Sequence, residues 1–121
     1  MRVIVTGSRR WADAHVIYRE LTNIYEQHGM FELIHGACST GADAHAHEWF
    51  EAGGRSLGCI ETRHPADWEH RDREAGPEGN RRMIQAGADI VLAFPLPEGS
   101  GTQHTVRLAR AAGIEVREFH Q

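Results

Sequence analysis

A chain of 121 residues fits one domain and leaves no room for two independent cores. It carries 13 Lys+Arg against 17 Asp+Glu, a net charge of −4, which argues against a general nucleic-acid binder that must neutralise many phosphates. At this length roughly two-thirds of the unfolded surface can be buried, so neither a disulfide nor a metal is needed for stability. Cys38 and Cys59 stand in unrelated segments, which argues against a disulfide scaffold or paired zinc ligands and makes the reducing cytoplasm the expected location. The apolar run Val3-Ile4-Val5 is too short for a signal peptide or a membrane span.

Short runs of branched residues alternate with longer amphipathic stretches, the pattern of repeated βαβ units. Five strands are predicted: Arg2–Thr6, Phe31–His35, Gly58–Arg63, Asp89–Phe94 and Glu115–Phe119. The first and fourth lack in/out alternation, so they are expected to be central, adjacent and buried on both faces.

A first helix begins near Asp13, a candidate N-cap, and carries Ile17, Leu21, Ile24 and Tyr25 on one stripe. In the second, Ala42, Ala46, Trp49 and Phe50 share a face, and Gly53-Gly54 is expected to end it by accepting a left-handed conformation. The third follows Pro77 and stops at Gly87, and the fourth runs from about Thr102 to Ala112 and stops at Gly113. Right-handed crossovers then give the strand order 3-2-1-4-5 in a three-layer, Rossmann-like α/β domain over residues 1–121. No repeat or linker interrupts it. The charged stretch Asp67–Gly79, broken by Gly76-Pro77, reads as a solvated loop or a lid.

In such sheets ligands bind beyond the carboxyl ends of the strands, where the strand order reverses. Three glycine-bearing segments follow predicted strands: Thr6-Gly7-Ser8-Arg9-Arg10, Gly36 through Asp43, and Pro97 through Thr102. Glycine lets backbone N–H groups approach a phosphate, a helix N-terminus adds partial positive charge, and Arg9, Ser100 and Thr102 add donors. The P-loop motif is absent. Gly99-Ser100-Gly101-Thr102-Gln103-His104 lacks the last glycine of a dinucleotide fingerprint, and no acidic residue ends the following strand to hold a ribose, which argues against an NAD-dependent dehydrogenase.

These segments carry a resemblance. Val5-Thr6-Gly7-Ser8-Arg9, His35-Gly36-Ala37-Cys38, Thr40-Gly41-Ala42-Asp43, His64-Pro65-Ala66-Asp67-Trp68, Gly76-Pro77, Asn80-Arg81-Arg82-Met83 and the Gly99–Thr102 loop fall in order over residues 3–102. The chain resembles the YspA-related SLOG family of small Rossmann-like proteins. The resemblance implies a nucleotide or nucleotide-derived ligand, and the dimers common in that superfamily. Its LOG enzymes, which cleave the N-glycosidic bond of nucleoside 5′-monophosphates, carry P-G-G-x-G-T-x-x-E. Here Pro97, Gly99, Gly101 and Thr102 match, Glu98 replaces the first paired glycine, and Thr105 stands at the acidic position.

That departure bears on activity, because glycosidic cleavage passes through an oxocarbenium-like state that a carboxylate stabilises and needs a base for water. Asp43, Asp67, Glu78 and Glu98 are substitutes, each also readable as a cap or surface charge. Asp43 and His47 stand one helical turn apart, yet nothing completes a zinc set, and His45 and Glu48 make no H-E-x-x-H frame. No metal site is therefore assigned; Mg²⁺ is compatible with a diphosphate ligand. Trp68, and less so Trp11, adjoin the loops as base-stacking candidates, against the alternative of plain packing. Arg81 and Arg82 are read as opening a helix, where a cation is disfavoured unless an anion compensates.

The expectation is a module that binds a phosphate-bearing, nucleotide-type small molecule, with a phosphoribohydrolase and a ligand-free interaction domain as alternatives. Its ligand-binding residues are Gly7, Ser8 and Arg9; Gly36, Thr40, Gly41 and Asp43; Asn80 and Arg81; and Gly99, Ser100, Gly101 and Thr102. No catalytic residue is assigned.

Overall fold

The structure, a computed structural model, describes residues 1–64, 75–97 and 101–120. Five strands form one sheet: β1 (Arg2–Gly7), β2 (Glu32–His35), β3 (Ile60–Arg63), β4 (Ile90–Phe94) and β5 (Glu115–Glu118). The spatial order is β3-β2-β1-β4-β5, as the crossover rule requires, and every pairing is parallel. The connecting helices are α1 (Ala14–His28), α2 (Gly41–Trp49), α3 (Ala75–Ala86) and α4 (Gly101–Ala111).

Because successive strand residues point to opposite faces, the central strands feed two separate cores. Val3, Val5, Leu33, Leu92 and Phe94 pack with Ile17, Leu21 and Ile24 of α1 and with Ala42, Ala46 and Trp49 of α2. Ile4, Ile34 and Val91 pack with Met83 and Ile84 of α3 and Ala109 of α4. This is the three-layer arrangement, and β4 is buried along its whole length.

The caps follow local chemistry. The Asp13 carboxylate accepts the His15 N–H at 3.1 Å, satisfying one of the orphan donors of α1. Gly29 at φ 80° and Gly113 at φ 78° end α1 and α4 in conformations that a Cβ would oppose.

The end of α2 corrects the sequence reading. The helical run does end at Gly54, but through a π-helical turn over Phe50–Gly54, and the left-handed residue is Gly58, at φ 94°. Gly54 is required for a different reason: a Cβ there would lie 2.9 Å from Trp49 Cε3. The indole stacks on Phe31 with centroids 5.6 Å apart and donates its N–H to Thr22 Oγ1 at 3.1 Å, so the ring cannot yield.

A second correction concerns α3. It begins at Ala75, so Pro77 falls in its first turn and Arg81 and Arg82 in its middle. Neither arginine faces the positive end of the helix dipole, and the argument for an anion partner from helix position lapses. Of the charged stretch Asp67–Gly79, residues 67–74, with Asp67 and Trp68, lie outside the described residues.

Candidate functional site

The carboxyl ends of β1 and β4 lie side by side, Gly7 paired with Phe94, at the point where the strand order reverses. A cavity of about 390 Å³ opens there, within the size range of small-molecule sites. From β1 and its turn it is lined by Val5, Thr6, Gly7 and Arg9. The loop after β2 adds Gly36 to Ser39, α2 adds Asp43, and the end of β3 adds His64. Gly79, Asn80 and Met83 of α3 and Gly101 and Thr102 of α4 form the far wall.

The first loop is a tight turn built on Ser8. Its N–H bonds Phe94 O at 3.0 Å, its carbonyl accepts Trp11 N at 3.2 Å and Ala42 N at 3.1 Å, and its hydroxyl accepts Arg10 N at 3.0 Å. Ser8 is thus buried in the scaffold rather than turned to the cavity. Gly41, at φ 73°, lets α2 abut this turn, because a Cβ there would collide with the backbone of Ser8 and Arg9. Neither Gly41 nor exposed Thr40 lines the cavity.

The second loop is held from beneath by its own amides. Asp43 accepts hydrogen bonds from the backbone N–H groups of Gly36 and Cys38, the latter at 3.2 Å to Oδ2. Between them Ala37, at φ 61°, donates its N–H to His35 Nδ1 at 3.0 Å. These three amides are therefore committed within the protein and form no N–H cradle for a ligand. The sequence reading had counted the Gly36 amide toward a phosphate.

The electrostatics of Asp43 follow from this setting. Desolvation pushes its carboxyl above the usual range, and the amides of Cys38 and Gly36 and the Arg9 guanidinium pull the other way. Its surface is partly open to the cavity and otherwise enclosed.

Below the loop, two imidazoles meet one carboxylate. Glu61 Oε2 lies 2.8 Å from His35 Nε2 and 2.7 Å from His47 Nδ1. Burial would raise the Glu61 carboxyl, but the hydrogen bonds of the two histidines prevail and hold it below its ordinary range. These three donor atoms lie within 4.8 Å of one another, as metal ligands do. The tautomer of His35 opposes that role. Its Nδ1 lone pair is occupied by the Ala37 N–H, so Nε2 carries the proton and donates to Glu61; a metal at Nε2 would need an imidazolate. Asp43 and His47, adjacent in helical spacing, do not combine: Asp43 turns to the loop and His47 to Glu61.

On the far wall Asn80 Nδ2 donates to Gly101 O at 3.4 Å and lies 3.2 Å from His104 Nδ1, tying α3 to the start of α4. The first turn of α4 holds no acidic residue. Thr105 is fully buried, and its hydroxyl donates back to Gly101 O at 3.4 Å. Position 105, where the LOG enzymes carry their acid, therefore points into the packing between α4 and the sheet. His104 is held below its ordinary range by desolvation and then by Arg81 and Arg107. Arg81 is exposed and does not line the cavity.

Of the residues assigned from sequence, Gly7, Arg9, Gly36, Asp43, Asn80, Gly101 and Thr102 thus meet around one cavity. Gly99, Ser100 and Glu98 lie outside the described residues. Trp11 is core: 2% exposed, edge-on to Phe94 with centroids 5.4 Å apart, its Nε1 bonded to Asp13 O at 2.9 Å. Sequence reasoning passed over His64, Gly79 and Met83. His64 Nε2 is buried without a hydrogen-bond partner among the described residues, which no sequence pattern discloses.

An open, doubly wound parallel α/β domain with a cavity at its switch point defines a Rossmann-like class. Within that class the chain belongs to the YspA, cpYpsA-related SLOG family, whose model matches residues 1–70. It is 40% identical over 121 residues to the Gene 61 protein of Mycobacterium phage D29, an alignment covering 98% of this chain and 95% of that protein. Among the described residues no helix is long and apolar enough to cross a membrane.

Proposed function

We propose that the cavity binds a phosphate-bearing, nucleotide-type small molecule. The observation that carries this reading is the junction of Arg9 with the N-terminus of α4 at the switch point. There Gly101 and Thr102 line the cavity and the first turn of α4 holds no acidic residue. With the amides of Gly36, Ala37 and Cys38 already committed, the phosphate belongs at the Arg9 and α4 side. Family membership is in keeping with a nucleotide-related ligand.

Binding is favoured over phosphoribohydrolase activity because Thr105 is buried and hydrogen-bonded where the LOG enzymes carry an acid. The test is native mass spectrometry of freshly purified protein, followed by calorimetry with nucleoside 5′-monophosphates. A co-purified or titrated phosphorylated ligand supports the reading. Failure of every phosphorylated nucleotide to bind, with the protein folded, refutes it.

A further inference from the structure

We infer that Asp43 is the sugar-recognising residue of this cavity and selects ligands that carry a free vicinal diol; the inference rests on the nucleotide reading above. An ionised carboxylate can only accept hydrogen bonds, so whatever faces it inside a partly dry cavity must donate them. Of the loop amides, those of Gly36 and Cys38 already end on this carboxylate and that of Ala37 ends on His35 Nδ1, so these three are not turned to the ligand.

Proximity then identifies the donor. Arg9 and Asp43 line the same cavity and lie close enough for the guanidinium to act on the carboxyl. In a nucleotide held by its phosphate at Arg9 and the α4 terminus, the group bonded directly to that phosphate is the sugar, and the base lies farther on. The hydroxyls of the sugar are therefore the proton donors that fall beside Asp43. The phosphate itself is excluded from this position by like-charge repulsion.

The same carboxylate braces the loop of Gly36 to Cys38, so its substitution can disturb the fold, and the test varies the ligand as well as the protein. The four common nucleoside 5′-monophosphates and their 2′,3′-dideoxy counterparts are titrated into wild type and Asp43→Asn, with inorganic phosphate as a control and circular dichroism to monitor folding. Loss of hydrogen bonds to a charged acceptor should weaken the dideoxy ligands about tenfold or more on wild type. In Asp43→Asn the ribo and dideoxy forms should converge, while inorganic phosphate binds as well as to wild type or better.

Equal binding of ribo and dideoxy forms by wild type overturns the assignment of Asp43 while leaving the nucleotide reading intact. Retention of the full preference by a folded Asp43→Asn also overturns it. If none of the monophosphates binds wild type, the nucleotide reading fails, and the inference with it. Should Asp43→Asn not fold, the wild-type comparison alone decides whether the diol is read.

Discussion

The backbone N–H of Ala37 donates to Nδ1 of His35 at 3.0 Å, and this bond fixes the proton on the opposite nitrogen, which meets Glu61. A loop residue at φ 61° on the cavity wall is in this way tied to a carboxylate on β3. Doubly protonated His35 would set an N–H against the Ala37 N–H, so the loop depends on a neutral imidazole with its proton at Nε2.

Glu61→Gln tests that chain. The amide keeps the shape, and its oxygen can still accept from both histidines, but the charge that strengthens both bonds is gone, so stability should fall by about 1–3 kcal/mol at neutral pH, measured by urea unfolding. The pH dependence gives a second readout. The folded-state carboxyl of Glu61 lies below its unfolded value, so its contribution is fully present above the ordinary glutamate range. It is lost as pH falls through the depressed folded value. Asp43 has the opposite sign, being raised, and is common to both proteins. Wild type should thus lose its advantage over Glu61→Gln on acidification; a constant gap down to about pH 3 would refute the role.

Gly41→Ala should destabilise by about 2–4 kcal/mol. The new Cβ meets backbone, the Ser8 carbonyl and Arg9 Cα, and the residue must also hold φ 73°. Since that turn carries Arg9 into the cavity, ligand affinity should fall with stability. A thermal midpoint unchanged from wild type would show that the turn has another way to close.

Thr105→Glu separates a family motif from a working site. Thr105 is completely buried, and an uncompensated carboxylate there should cost about 3–5 kcal/mol or hold its proton far above the usual range. Neither outcome supplies base release, because the side chain does not line the cavity. Chromatographic appearance of free base from a monophosphate with this variant would show that position 105 reaches the sugar after all.

The scaffold was readable because its signals are local and repeated. The unalternating runs Val3-Ile4-Val5 and Ile90–Phe94 can be buried only on both faces, and Gly87 and Gly113 punctuate the helices at positive φ. The cavity was readable to the extent that a strand end announces it, which brought Gly7, Gly36 and Gly101 together. What escaped depends on partners far apart in sequence. Glu61 reads as one charge on an edge strand until His35 and His47 converge on it, and Ser8 and Gly41 look like phosphate residues until the α2 terminus closes on the first turn. The tryptophan at 11 shows the same limit: adjacency to a loop in sequence says nothing about which side of the turn the ring takes, and it took the Phe94 side.

Arg9→Ala addresses the phosphate contact itself. Arg9 is exposed at the cavity mouth, follows the Ser8 turn and acts electrostatically on Asp43. If it makes a charge-assisted bond to a ligand phosphate, its loss should weaken a phosphorylated ligand by about 1.5–3 kcal/mol, or roughly 10- to 150-fold. The unphosphorylated nucleoside should be affected far less, so the ratio of the two affinities isolates the contact from any general change in the cavity. Salt gives an independent check, because a contact open to solvent is screened, and the difference between wild type and variant should shrink as ionic strength rises. Removing the guanidinium also removes one influence that holds the Asp43 carboxyl down, so the variant's Asp43 should titrate higher than in wild type, read by carboxyl carbon NMR. Equal affinities of wild type and variant for the phosphorylated ligand, with the NMR shift present, would place Arg9 beside Asp43 but outside the phosphate site.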